Sequence, residues 1–307
     1  MGTYLPEGTR IGTEENSYYL GSEHTLREAM QQEILLEARA LLCTAGHDLI
    51  CDLGFCRGRI PREEGAVGIA EGRVRDIALL SRVGHPVSFF VEELSRDESG
   101  ALMPLLSRRK AQEACLRDYV ALLSPGDVIP ARVTHLEPFG AFVDIGCGVP
   151  SLISIDQISV SRISHPRDRF AVGQAIAAVV RGRDECGRIF LSHKELLGTW
   201  EENAALFLAG ETVGGIIRSV EDYGVFVELT PNLAGLAEPF PGAAVGQSAG
   251  VYIKSILPDK MKIKLIIVDA FDAPHPPEPL TYFIKSGHLD RWEYSPPGAR
   301  RLIETVF

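Results

Sequence analysis

PGDVIPARVTHLEPFGAF, Pro125 to Phe142, returns downstream as AGETVGGIIRSVEDYGVF, Ala209 to Phe226, and this internal repeat decides the architecture. A stretch that recurs within one chain marks a structural module built more than once. In each copy the apolar residues keep strand periodicity: Val133, Val143 and Ile145 in the first, Ile217, Val227 and Leu229 in the second, with polar residues between them. Alternation sends one side of a strand into a core and the other into water. By that register Phe142 and Asp144 face water opposite Val143 and Ile145, and Phe226 and Glu228 do so opposite Val227 and Leu229.

Gly140 and Gly224 stand between paired aromatics, Phe139/Phe142 and Tyr223/Phe226. Residues three apart on a flat strand point to opposite faces, but a glycine that carries a bulge or sharp twist brings both rings to one side. Two exposed rings make a platform on which bases stack without regard to sequence, each stack contributing about 1–3 kcal/mol. The competing reading plugs one ring of each pair into the core, and Phe139 and Tyr223 are more open to it than Phe142 and Phe226.

The remainder of each copy runs in parallel. PSLISIDQI (Pro150 to Ile158) is matched by AGLAE (Ala234 to Glu238), and VGQ occurs at Val172 to Gln174 and again at Val245 to Gln247. A strand follows, and GRIFLS (Gly187 to Ser192) or MKIKLI (Met261 to Ile266) closes the copy. Alternation turns Ile189 and Leu191, or Ile263 and Leu265, inward, leaving Arg188, Phe190 and Ser192 outside in one copy and Lys262 and Lys264 outside in the other. Arg181 and Lys254 hold equivalent places before the last turn. Five short strands of this kind predict an all-β fold of tandem five-stranded barrels of the oligonucleotide-binding (OB) type, whose outer strand face holds single-stranded nucleic acid.

The string from Gly126 to Glu195, with ARVTHLEPFGAFVDIG, SLISIDQI, FAVGQ and GRIFLSHKE in order, closely resembles the S1 RNA-binding domain, named for ribosomal protein S1. The resemblance implies an RNA-facing patch made of the aromatic pair, a histidine on the third strand, and an acidic and a basic residue around the last turn. Carried over by position, these are Phe139, Phe142, Asp184 and Arg188, with Ser154 at the histidine position. In the later copy Glu238 stands there and would repel phosphate. The basic run SRISHPRDRF, with Arg162 and His165 as candidate RNA contacts beside His193, has no counterpart between Glu238 and Gly246. The later barrel is therefore shorter and expected to bind more weakly, through Tyr223, Phe226, Lys254, Lys262 and Lys264.

A third, eroded copy lies upstream. ICDLG (Ile50 to Gly54) aligns with FVDIG (Phe142 to Gly146), GRIP (Gly58 to Pro61) with SLIS, Val83 and Gly84 with the start of VGQ, and LSRRK (Leu106 to Lys110) with LSHKE. His47 and Ile50 replace the aromatic pair, so this copy should stack bases poorly. Leading repeats of the S1 family attach to the ribosome, and the resemblance implies a docking role here.

The resulting organisation is a polar tail with a short helix at Glu23 to Gln32 (1–32), a degenerate repeat (33–112), a linker helix (113–124), an S1-type repeat (125–198), a second linker helix (199–208), a shortened repeat (209–269) and a C-terminal segment (270–307). Residues 1–22 are expected to be loosely ordered, and Trp200 and Phe207 to pack on a barrel. The C-terminal segment opens with the proline-rich run DAPHPPEP, read as a stiff spacer. Its aromatics, Tyr282, Phe283, Trp292 and Tyr294, are expected to pack back on the third repeat, with docking on a partner as the other option.

Charge narrows the partner. The chain carries 41 acidic against 31 basic side chains, a net charge of −10, whereas a binder living on phosphate contacts is usually basic. Residues 125–198 are balanced, with eight Arg/Lys and eight Asp/Glu. Stacking plus a few local arginines therefore fits better than a broad electrostatic groove, and micromolar-class affinity with a shallow salt dependence is expected.

Other chemistry is thinly represented. The six cysteines form no CxxC pair and are expected to be reduced thiols. No HExxH, phosphate-binding loop or dinucleotide fingerprint occurs, so no enzyme activity, metal or cofactor is expected. Without an export signal or an apolar run of about 18 residues, the protein is expected in the cytoplasm, away from membranes. Its oligomeric state stays open, with a monomer favoured. The function expected is single-stranded RNA binding, with mRNA as ligand, in translation at the small (30S) ribosomal subunit. Two alternatives stand beside it: a non-ribosomal RNA-binding regulator or RNA-decay accessory, and a protein-interaction scaffold whose barrels no longer touch RNA.

Overall fold

Residues 4–273 and 280–307 are described in a computed structural model of the chain. Most of the spacer DAPHPPEP, residues 274–279, lies outside the described residues. The chain divides into two compact units. One comprises Met1–Leu123 with Pro130–Arg132 and Asp144–Pro150; the other comprises Ser124–Ile129, Val133–Val143 and Ser151–Phe307.

Three closed five-stranded barrels form the chain's framework. The first uses β1 (Leu36–Cys43), β2 (Leu49–Asp52), β3 (Arg57–Ile60), β4 (Pro86–Glu93) and β5 (Leu105–Ser107) in the order β1-β2-β3-β5-β4. Leu36, Leu49, Ile60, Val87, Phe89 and Leu106 fill it and are fully buried, each contributing roughly 1.5–3 kcal/mol. The central barrel uses β6 (Asp127–Glu137), β7 (Gly140–Asp144), β8 (Pro150–Ser154), β9 (Ala175–Arg183) and β10 (Ile189–Ser192). The third repeats that order with β11 (Thr212–Glu221), β12 (Gly224–Thr230), β13 (Leu233–Ala237), β14 (Ser248–Leu257) and β15 (Lys262–Phe271). In the closing strands Ile189, Leu191, Ile263 and Leu265 point inward, as alternation requires.

The polar N-terminal segment departs from expectation. It carries α1 (Glu14–Tyr19), capped by Thr13, and α2 (Glu23–Gln31), closed by a Ser22–Thr25 capping box. Leu26 and Ala29 of α2 enter the first barrel's core. The Asn16 side chain donates to the Glu37 carbonyl at 2.9 Å and accepts from the Glu37 N–H at 2.8 Å. The Glu37 carboxylate accepts from the Gly8 and Arg10 N–H groups at 3.0 and 2.9 Å. Polar composition here records partners distant in sequence rather than solvation.

Asp144 is a second correction. It is buried, not wet. β7 ends at this residue, and its carboxylate turns into a shell of N–H donors from Glu7 (2.6 Å), Gly146 (2.8 Å) and Gly148 (2.9 Å). Burial, with the Glu7 carboxylate adding, pushes Asp144 up to about 7 against those donors. Glu7 is itself clamped by Arg108 of α4 (Arg108–Asp118), Nε to Oε1 at 2.7 Å and Nη2 to Oε2 at 3.0 Å. Gly148, at φ +74°, leaves room for that guanidinium, because a Cβ there would lie 1.8 Å from Arg108 Nη2. A short α3 (Ile77–Leu80) lies in the long β3–β4 connection.

Within the second unit, α5 (Trp200–Ala204) puts Trp200 into the third barrel's core. Of the C-terminal segment, β16 (Gly287–His288) pairs with β6, and β17 (Arg291–Glu293) with β18 (Glu304–Val306). Trp292 and Tyr294 join the third core, and the Tyr294 hydroxyl donates to the Asn232 carbonyl. The aromatic tail packs back on its own chain.

Glu228, aligned with Asp144, is likewise buried rather than wet. Its carboxylate pairs with Arg218 through Nε at 2.9 Å and Nη2 at 3.1 Å, and with the buried Arg169. Arg169 comes from the basic run, so that run is only partly displayed to solvent.

Candidate nucleic-acid interface

The central barrel's aromatic pair lies at the barrel surface. Phe139 sits in the turn between β6 and β7, 56% exposed, and Phe142 is half-buried on β7. Their centroids are 5.9 Å apart at 88°, an edge-to-face pair. Since Phe139 lies outside the strands, strand alternation does not apply to it, and no bulge at Gly140 is needed. The glycine serves a different end: a Cβ there would lie 2.5 Å from the Ile153 carbonyl oxygen of β8. Its absence lets β8 close against the hairpin.

Across the sheet, Leu152 of β8 is paired with Phe190 of β10, and Phe190 with Gly182 of β9. Phe190 is 39% exposed, with no side chain opposite it on β9. Ser154 ends β8 next to Gly140, its Cα 3.2 Å from where a Gly140 Cβ would sit. Ser192, expected outside, is fully buried because its hydroxyl binds the buried Glu195 carboxylate.

The β9–β10 turn is organised by Asp184. Its carboxylate accepts from the N–H groups of Cys186 at 2.9 Å and Arg188 at 2.8 Å, and from Arg188 Nε at 2.7 Å. Desolvation works against ionisation, but the Arg188 N–H and guanidinium prevail and hold Asp184 below the usual carboxylate range. Asp184 thus presents Arg188, whose side chain is 75% exposed. Arg181 is exposed and reaches Gln157 Oε1.

Other sequence candidates fall elsewhere. Arg162 and His165 lie on the β8–β9 connection rather than on the ring-bearing strands; Arg162 is exposed, and His165 Nδ1 accepts from the Arg167 N–H to cap a 3-10 turn. His193 is fully buried, which removes it from any surface. Its Nδ1 faces the Ile158 carbonyl at 2.8 Å and its Nε2 the Tyr282 hydroxyl at 3.0 Å. Burial pushes its pKa down to about 4.

Residues 123–194 match the family described as the S1 RNA binding domain. A small ribosomal subunit protein bS1 of Leuconostoc lactis is 34% identical over 194 residues, 61% of this chain and 43% of its own length. The Staphylococcus aureus protein of that name is 27% identical over 238 residues, 76% and 57% of the two chains. Residues 123–194 are therefore similar to the S1 RNA binding domain, and the chain to the bS1 ribosomal proteins. It matches about half the length of these curated relatives. A solved multidomain protein with nucleic acid binding domains from Streptococcus pneumoniae aligns over 76% of this chain and 73% of its own, at 15% identity and a TM-score of 0.25.

The third barrel builds the same face differently. Tyr223 is 66% exposed, and its centroid lies 6.2 Å from that of the half-buried Phe226, at 88°. Phe226 is paired with Leu236, and Leu236 with Lys264, so a lysine occupies the place of Phe190. Lys262 is exposed beside it, and Lys254 lies 3.8 Å from Glu238. The first barrel has no rings here: Ile50, Arg59 and Leu105 are successive cross-strand partners. Among the described residues no helix is long and apolar enough to cross a membrane.

One residue of the central face escapes strand alternation. His135 is exposed, and its ring centroid lies 6.3 Å from that of Phe142 at 34°. Counting by twos from the buried Val133 would turn it inward. In the third barrel the register slips between Ile217 and Ser219, so that Ile217 faces Val227 while Ser219 faces Phe226. Ser219 is the residue aligned with His135. A slip of one residue reverses the side on which a side chain emerges, and only the presence of a histidine at that aligned position hints at it in the sequence.

Proposed function

We propose that this chain binds single-stranded RNA on the outer face of the central S1 barrel, in translation at the small ribosomal subunit. Unpaired bases stack on Phe139 and Phe142 and extend toward Phe190, while Arg188 and Arg181 meet phosphates and Ser154 offers a hydroxyl next to Gly140. No bond is made or broken. The third barrel adds a weaker site through Tyr223, Phe226, Lys254, Lys262 and Lys264. Arg162 and His165 act, if the RNA runs on, past the end of the platform. The protein works as a monomer in the cytoplasm with mRNA as its ligand.

The observation that carries this reading is the exposure of Phe139 against Phe142, a ring pair held at the surface of a barrel whose core is already closed without it. Support for the setting comes from the relatives, which are named as small-subunit ribosomal proteins. Anisotropy of a labelled unstructured RNA titrated with the full chain tests the first part. Saturable binding that an unlabelled duplex DNA fails to compete is expected; a preference for the duplex overturns the reading. Cosedimentation with small ribosomal subunits in a gradient tests the second, and failure to migrate with them leaves RNA binding outside the ribosome.

A further inference from the structure

We infer that His135 is a third ring of the central platform, contacting RNA beside Phe142 from the neighbouring strand β6. This rests on the RNA-binding reading above and names a contact that the aromatic pair alone does not supply.

The geometry is specific. The His135 side chain is 62% exposed, although it lies on a strand rather than in a loop. Phe139 meets Phe142 edge-on, whereas His135 is tilted by only 34° from the Phe142 plane at 6.3 Å. A flat ligand lying on Phe142 therefore meets on the His135 side a second ring inclined by 34°, a face the edge-on Phe139 does not offer. Next to it, Thr134 Oγ1 donates to the Phe142 carbonyl at 3.1 Å, which ties this part of β6 to β7. The imidazole Nε2 lies 2.7 Å from Glu137 Oε1, and that bond holds the ring in place.

The third barrel supplies an internal control. Its aligned residue, Ser219, is the cross-strand partner of Phe226 and bonds to Glu221 just as His135 bonds to Glu137. Backbone placement and the acidic partner are thus common to both barrels. Only the ring is particular to the central one. A fold requirement would have kept the ring in both places, so the imidazole is best explained by what it touches outside the protein.

The test measures affinity of the full-length chain for a labelled oligouridine of about twelve nucleotides, a length within single-barrel site sizes. His135→Ala should weaken binding about fivefold or more, with an unchanged melting temperature because the side chain is exposed. His135→Phe should restore affinity to within about twofold, since any flat ring stacks. Phe142→Ala serves as the reference. If Phe142→Ala weakens binding and His135→Ala does not, the third ring is wrong and the two-ring platform stands. If His135→Ala weakens binding and His135→Phe fails to rescue it, stacking is not what the residue does and the inference is overturned. If neither substitution matters, the RNA-binding reading falls and takes this one with it.

Discussion

The central and third barrels share one scaffold and differ in what that scaffold displays. Both close the same order of five strands, both place a glycine where β8 or β13 backbone comes within 2.5 Å of a would-be Cβ, and both bury an acidic residue late in the second strand. On the outer face the central barrel pairs Leu152 with Phe190, where the third pairs Leu236 with Lys264. The inward residues and the glycines are held by packing. The outward ones are held by nothing inside the barrel, so the face can move from rings toward cations without any change of fold.

The largest effect that separates the two concerns their buried acids. Glu228 is neutralised by Arg169 and Arg218, whereas Asp144 is satisfied largely by backbone N–H groups. Arg169→Ala leaves a buried carboxylate short of a partner and should cost about 3–5 kcal/mol, seen as a lower urea midpoint. A loss below about 1 kcal/mol would mean that Arg218 alone suffices.

Acid comes next. His193 of the central barrel corresponds to the buried Ile267 of the third. Its ordinary pKa of 6.5 falls to about 4 in the fold. The unfolded chain therefore binds more protons between those values, and stability that is complete above pH 6.5 is lost as pH falls toward 4, on the order of 3 kcal/mol in all. His193→Gln should flatten this dependence in denaturant melts across that window; an unaltered acid limb would show that carboxylates cause it.

RNA affinity sharpens the contrast at the surface. Phe142→Ala with Arg188→Ala should weaken binding more than tenfold, or over about 1.4 kcal/mol, while Tyr223→Ala with Phe226→Ala should cost about threefold or less. Equal losses from the two pairs would erase the distinction between the barrels. The smallest effect falls on salt: replacing Lys262 and Lys264 by Ala should reduce the slope of log affinity against log salt by up to about 0.7 for each phosphate no longer neutralised, with the loss of affinity seen at low salt and fading as salt rises.

Much of this was legible from residues in order. The repeat, the inward Ile189, Leu191, Ile263 and Leu265, and the outward Phe190, Lys262 and Lys264 follow from alternation, which is a local property of extended backbone. The aromatic pairs were legible as pairs, although Phe139 reaches the surface from a turn rather than through a bulge. Position along a strand reports a face only while the register is unbroken, which is why His135 escaped.

The sequence by itself determined that the chain is a series of small barrels with rings set at one hairpin, because side-chain periodicity and turn glycines are written residue by residue. Only the tertiary structure decided which polar groups leave water. Asp144, Glu228, Ser192 and His193 are buried because Glu7, Arg169, Glu195 and Tyr282, distant or local in the chain, meet them in space. A polar group is taken into the interior when a partner replaces its water, and that partner is chosen by the fold.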